Sequence, residues 1–240
     1  MKIRLISDVH FEFGFRPEVT IYRGEDVLVI AGDFHAGSYP VLVYLRDYFD
    51  NYPVPIIYVP GNHEYYGTSL REFDTAMKLF NMPNFYYLNP GTLKVGDVTF
   101  IGACGWTNFR QDRFAQIVCA QRISDFRKIN GWSGDLCSLL HTEHFKYIWD
   151  SYAAVEGKKV VITHFLPAVE CIDAQYQGPD LINYYFANDY GQRISEMSDT
   201  TWLFGHTHSR VDITLGDTKM IARPYGYTNR NDYDHNLIEV

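Results

Sequence analysis

Short runs of apolar, mostly β-branched residues recur along the chain, each stopping at a polar or glycine-bearing turn: residues 3–6, 27–31, 56–59, 98–102, 160–163 and 202–204. Continuous apolar runs of this length predict strands buried on both faces, because a half-exposed strand would alternate apolar with polar positions. Between them, residues 40–50, 69–80, 136–154 and 190–197 carry helical patterning. Strand and helix therefore alternate, which predicts an α/β layered fold. Residues 211–215, the pair Gly216-Asp217 and residues 219–222 read as a hairpin, so the sheets are expected to be mixed. Two stretches, 105–134 and 168–188, fit neither grammar. Rich in aromatic and polar residues, they are expected to be lids or substrate loops.

The 240 residues suffice for one large domain or two small ones. With no repeat, low-complexity tract or linker, a single domain over 1–240 is expected. Lys plus Arg number 21 against 29 Asp plus Glu, a net charge of −8, and no basic run offsets it. Nonspecific nucleic-acid coats and anionic-membrane binders need a positive field, so both classes are disfavoured. One phosphate ester in a metal-lined pocket stays open, because bound cations reverse the local sign. The four cysteines, Cys104, Cys119, Cys137 and Cys171, form no C-x-x-C pair and are read as reduced, buried thiols. The start, MKIRLISDVH, holds too short an apolar run for a signal peptide, and no later stretch approaches a membrane span. A cytoplasmic location is expected.

Chemistry gathers where the strands stop. Residues 3–6 run into Ser7-Asp8-Val9-His10, residues 27–31 into Gly32-Asp33, and residues 56–59 into Pro60-Gly61-Asn62-His63-Glu64. Residues 160–163 run into His164, and residues 202–204 into Gly205-His206-Thr207-His208. Open α/β sheets place their sites at such an edge. Carboxylate and amide oxygens mixed with imidazole nitrogens suit Mn, Fe, Zn or similar ions. In D-x-H and H-x-H, alternate residues of an extended segment would point the same way and grip one side of a metal centre. Gly32, Gly61 and Gly205 would leave room for close backbone approach.

Taken together, D-x-H, G-D, G-N-H-E, an isolated His and G-H-x-H, spanning Asp8 to His208, resemble the calcineurin-like metallophosphoesterase superfamily. The segments Phe100-Ile101-Gly102, Trp106-Thr107, Asp125-Phe126-Arg127 and Arg223-Pro224-Tyr225-Gly226-Tyr227 resemble a bacterial and phage branch of uncertain substrate. The resemblance implies an α-β-β-α layered fold and two divalent metal ions, with Mn expected in vitro and Fe, Zn, Ni or Mg as alternatives. Asp8, His10 and His208 would hold the first ion, Asn62, His164 and His206 the second, and Asp33 would bridge both. The pair would polarise phosphoryl oxygens and deprotonate a bridging water for in-line attack. Asp33 and His63 are the implied catalytic residues, His63 matching the histidine that protonates the leaving oxygen.

The chain departs from the phosphoprotein phosphatases of that superfamily. Phe34-His35-Ala36-Gly37 follows the G-D motif where an Asp and an Arg are usual, and Pro60 stands where an Arg precedes G-N-H-E. A clamp for a dianionic monoester is therefore not evident, and the usual carboxylate partner of His63 is missing, with Glu64 and His35 as substitutes. The expected substrate is a small or nucleotide-like phosphodiester, bound by Asn62, His63 and Arg223. Arg110, Arg113 and Arg127 are further cations for a late clamp, and Tyr65, Tyr66, Trp106 and Tyr184-Tyr185-Phe186 are candidates to stack on a base or fill the core. A broad phosphomonoesterase, a Ser/Thr protein phosphatase and a non-catalytic scaffold are the alternatives; a nuclease would want a basic approach to the metals. His141 and His144, three apart on a helix, are expected on an exposed face, and His235 has no evident partner.

Overall fold

A computed structural model of the chain describes residues 1–227 and 233–240. The apolar runs form strands β1 (Lys2–Ile6), β2 (Val27–Ala31), β3 (Ile56–Val59), β6 (Val98–Gly102), β7 (Lys158–Ile162) and β8 (Thr200–Phe204). They are joined by β4 (Phe85–Tyr87), β5 (Gly91–Val95), β9 (Val211–Leu215), β10 (Thr218–Ala222) and β11 (Ile238–Glu239). One sheet has the order β11-β1-β2-β3-β4 and the other β5-β6-β7-β8-β10-β9. Both are mixed: parallel pairs form their centres, while β11 against β1, β5 against β6 and β9 against β10 are antiparallel. The expected hairpin sets Leu215 opposite Thr218 and Val211 opposite Ala222.

The two-residue period of the strands explains the layering. Leu5, Val29 and Val59 meet Phe100, Val160 and Leu203 in a core between the sheets. The alternate positions point outward. On the first sheet, Leu28, Ile30 and Tyr58 pack beneath Val41 and Leu45 of α1 (Ser38–Phe49) and Phe73 of α2 (Leu70–Leu79). On the second, Val161, Trp202 and Phe204 pack beneath Phe145 and Ile148 of the long helix Gly134–Ala154. The layers are thus α-β-β-α. Each such side chain contributes about 1.5–3 kcal/mol by leaving water.

Helix starts follow local chemistry. Ser69 and Glu72 form a reciprocal capping box at α2. Asp112 caps α3 (Arg113–Arg122), its carboxylate accepting from the N–H groups of Phe114 and Ala115. Then come α4 (Asp125–Lys128), α5 (Gly134–Ala154), α6 (Asn183–Phe186) and α7 (Gly191–Ser195). The stretch 105–134 is therefore more helical than expected. Helix α3 buries only Ala115, Gln116 and Cys119 while Phe114 and Ile117 stay exposed, so no apolar face marks it in the sequence.

Two further expectations need correcting. His141 and His144 are not on an exposed face: α5 buries both. The His144 Nδ1 accepts the Gly105 N–H at 3.2 Å, and the His141 Nε2 lies 3.2 Å from the Tyr190 hydroxyl. Burial holds them neutral, pulling His141 down to about 4 and His144 to about 3. His235 does have a neighbour, its ring standing edge-on to Tyr233 at 4.7 Å. The four cysteines are buried and free, as expected. Among the described residues, no helix is long and apolar enough to cross a membrane.

Candidate metal centre

The ends of β1, β2, β3, β7 and β8 meet at one edge where the two sheets face each other. Asp8, His10, Asp33 and His208 bring ligand atoms within 4.8 Å of one another, and so do Asp33, His164 and His206. Asp33 belongs to both groups. Its Oδ2 lies 3.6 Å from His10 Nε2 and its Oδ1 lies 3.5 Å from His164 Nε2. On the first side, His10 Nε2 faces His208 Nε2 at 3.1 Å, and His208 Nε2 is 3.3 Å from Asp8 Oδ1. On the second, His164 Nε2 meets Asn62 Oδ1 at 3.1 Å and His206 Nδ1 at 3.2 Å.

The backbone that delivers these atoms is strained, and it corrects one sequence argument. Asp8, His10, Asp33, His206 and His208 all have φ between 49° and 66°, the left-handed region. D-x-H and H-x-H are therefore not extended segments with alternate residues aligned; each side chain is turned inward by its own left-handed kink. Such kinks cost about 1–3 kcal/mol each and persist only where the surroundings fix them. Gly32 shows how close those surroundings are. At φ +82°, an added Cβ would lie 2.5 Å from both the Gly61 nitrogen and His164 Nδ1. At Gly205 it would meet the Ala31 carbonyl at 2.7 Å.

Neighbouring hydrogen bonds aim the donor atoms. His164 Nδ1 donates to the Ala31 carbonyl at 2.9 Å and His10 Nδ1 donates to Glu12 Oε1 at 3.0 Å, so each Nε2 is left facing the centre. Asn62 Nδ2 donates to Asp125 Oδ1 at 3.1 Å, which turns Oδ1 inward. Asp125 is itself held by the hydroxyls of Tyr66 and Tyr185, both at 2.6 Å. Asp8 accepts the Ser7 hydroxyl and the His206 N–H.

The partner of His63 is Glu12, a residue the sequence argument did not consider. Glu12 Oε1 accepts from His63 Nδ1 at 2.7 Å, so one carboxylate oxygen grips both His63 and His10. Neither substitute named from the sequence does this. Glu64 is buried beneath the site, accepting the N–H groups of Asp33, Phe34 and Gly61 and the Tyr58 hydroxyl. His35 turns to the Ala36 carbonyl and packs on Tyr44. The D-x-H-x-E spacing was the signal for Glu12: two residues beyond His10, just past its left-handed kink.

Charge at the centre favours cations. Burial alone would lower His164, yet Asp33 and Asp8 outweigh it and lift the imidazole to about 10. Burial and the neighbouring His164 hold His206 well down. Burial would raise Asp8, but His208 and His164 hold it at about 2. Two buried carboxylates thus draw a compensating positive charge into a cluster of converging acceptor atoms, and divalent ions fit that donor set. His63 resists its own burial as well, Asp33 and Glu12 raising it above the usual imidazole range.

A cavity of about 1120 Å³ opens beside the centre, floored by Asp33, Asn62, His63, His206 and His208. Its far wall comes from residues 172–186 and 122–125, so both stretches that resisted assignment border the site. Tyr66, Tyr185 and Phe186 line it, whereas Tyr65 and Trp106 are wholly buried in the core. The structure does not bring Arg223 to the cavity. Its guanidinium is buried against Asp234 and Asp212, both at 2.8 Å, and the Val211 carbonyl. Arg110 lies over the Tyr184 ring, Arg113 pairs with Asp135 at 2.6 Å, and Arg127 reaches the Gln121 carbonyl. None of the three lines the cavity. Among the described residues, the arginine that does is Arg122, in α3.

Comparison with known proteins agrees with this geometry. The calcineurin-like phosphoesterase family matches residues 1–210. An uncharacterised protein of Acanthamoeba polyphaga mimivirus is 26% identical over 201 residues, 75% of this chain and 71% of that protein. Among solved structures, a phosphopantetheinyl hydrolase from Mycobacterium tuberculosis superposes with a TM-score of 0.74 at 14% identity, covering 100% of this chain and 95% of the other. A dimetal phosphatase from Danio rerio superposes at 0.58 with 14% identity, covering 99% and 91%. At these identities the structural likeness is one of fold.

Proposed function

The chain belongs to the calcineurin-like phosphoesterase family, and from that membership we propose that it hydrolyses phosphodiesters with two divalent metal ions. The observation that carries this reading is the shared carboxylate: Asp33 lies within 3.6 Å of His10 on one side and 3.5 Å of His164 on the other. Asp8, His10 and His208 would hold one ion, Asn62, His164 and His206 the other, and Asp33 both. Bound there, the ions supply Lewis acidity to the phosphoryl group and lower the pKa of a water. The remaining work belongs to side chains. His63, at the cavity floor with Nδ1 anchored on Glu12, presents Nε2 to the reacting group and passes a proton from that atom to the leaving oxygen. Glu12 keeps that ring from turning.

Diester preference rests on charge. A monoester dianion wants a free cation near the metals, and the one arginine among the described lining residues, Arg122, is paired with Asp180 at 3.0 Å. A protein-binding scaffold is disfavoured because all seven residues that would serve as ligands are present and lie close together. Metal-stripped protein with Mn restored should turn over bis(p-nitrophenyl) phosphate faster than p-nitrophenyl phosphate, and neither without metal. Preference for the monoester would overturn the diester assignment. Silence on both, and on a phosphopantetheinyl ester suggested by the Mycobacterium tuberculosis neighbour, would count against the enzyme itself.

A further inference from the structure

The cavity is larger than a phosphate needs, and its walls are unlike its floor. At about 1120 Å³ it exceeds the roughly 300–1,000 Å³ of ordinary small-molecule pockets, so most of the space is for what the phosphorus carries. Aromatic surface is exposed inside it. Tyr176 on the far wall is 60% exposed and Tyr227, whose ring sits 4.1 Å from that of His208, is 51% exposed. Phe186 lies nearly parallel to His206 at 4.8 Å, directly beside the ligands. Large rings left open to water within a cleft are the usual surface for stacking a flat group.

Charge on the same wall narrows the class. Asp173 and Asp180 both come from residues 172–186 and line the cavity together with Asp33, His206 and His208. Arg122 is engaged by Asp180. A second phosphate on the substrate would therefore find no free cation among the described lining residues to receive it. A cationic group fares little better, because Asp180 is already paired and Asp173 caps the turn at Gln175, accepting its N–H at 3.0 Å.

We propose that this wall is the subsite for the second ester group of a phosphodiester, and that it takes an uncharged arm bearing a flat aromatic body while discriminating against a second phosphate. The proposal rests on the phosphodiesterase reading above and assigns its substrate class. A matched pair tests it: thymidine 5′-(p-nitrophenyl phosphate) and the same compound phosphorylated at the 3′ oxygen, with methyl p-nitrophenyl phosphate as the armless control. For the Mn-loaded enzyme, kcat/KM should be highest for the thymidine ester and about tenfold or more lower for its 3′-phosphate, with the methyl ester also below it. In Asp180→Asn the gap between the pair should narrow, because Arg122 is released. Asn keeps an oxygen for the Ile182 N–H that Asp180 now accepts at 3.0 Å, so the turn is retained. Equal or better use of the 3′-phosphate, a methyl ester as good as the thymidine ester, or an unchanged gap in Asp180→Asn would each overturn the subsite. Turnover of bis(p-nitrophenyl) phosphate separates the two readings. If it is hydrolysed without the predicted discrimination, only the subsite falls; if it is not hydrolysed, the phosphodiesterase reading falls and takes the subsite with it.

Discussion

The candidate ligand cradle and the wall formed by residues 172–186 line one cavity and are built in opposite ways. The cradle draws on five strand ends, buries Asp8, Asp33 and His164 almost completely, and bends five candidate ligand residues into left-handed backbone. Its glycines have neighbours where a methyl would go. The wall is made of short turns between Ile172 and Phe186, tied by local bonds such as Asn183 Nδ2 to the Tyr176 carbonyl at 2.9 Å and by the half-exposed Arg122–Asp180 pair. A rigid, over-determined cradle can hold charged ligands that a loop would let scatter. A loosely held wall can change its side chains without disturbing the cradle. Substitutions on the two sides should therefore behave differently.

The largest effect is expected at Asp33. Asp33→Asn keeps an oxygen for the His63 N–H now accepted at 2.9 Å, so the fold should survive. Yet kcat should fall by about 10³ or more, with fewer than two ions retained on metal analysis. Wild-type turnover with a normal melting curve would break the cradle account. Glu12→Gln comes next. It loses the anionic anchor of His63 and His10, and kcat should drop about 10- to 100-fold. The drop should deepen for esters with poor leaving groups, which need the His63 proton most; a loss independent of the leaving group would reduce Glu12 to packing.

The third prediction concerns α5. His144 is held neutral in the fold, down at about 3 against an ordinary 6.5, so the unfolded chain binds the extra proton between those values and stability is lost as pH falls below 6.5. By pH 4.5 this amounts to roughly 3 kcal/mol. His141, held down to about 4, loses its neutral form in the same window, so the readout is the difference between wild type and His144→Gln: the variant's melting temperature should fall less steeply on acidification. Parallel curves would contradict a neutral buried imidazole. The smallest effect belongs to the wall. Tyr176→Ala should raise KM for an aromatic diester by a few-fold and leave stability within about 0.5 kcal/mol. A collapse in melting temperature would mean that the wall is structural after all.

The same contrast decides what was legible in the sequence. Strands buried on both faces announce themselves as nearly continuous apolar runs, so β1 (with only Arg4 interrupting it), β2, β3, β6, β7 and β8 could be read directly, and the candidate ligands at their ends with them. Strand β5 alternates half-buried with exposed positions, β4 has three residues and β11 two, too short or too mixed to stand out. Side-chain partners across the fold left no local trace. Asp125 reaches Asn62 from α4, Glu12 reaches His63 across 51 positions, and Arg223 is buried by Asp234, eleven residues on in the chain. The left-handed kinks at Asp8 and His206 are likewise accompanied by a hydrogen bond joining the two residues across the fold, His206 N–H to Asp8 Oδ1 at 2.9 Å. Those features depend on which strands become neighbours, which no single run of residues records.

The central claim is that one carboxylate, Asp33, joins two metal sites. Electron paramagnetic resonance of the Mn-loaded protein, read beside its metal content, tests it most directly. Two ions per chain with the spectrum of a spin-coupled pair, replaced in Asp33→Asn by a single uncoupled ion or none, is the predicted result. One uncoupled ion per wild-type chain would contradict it.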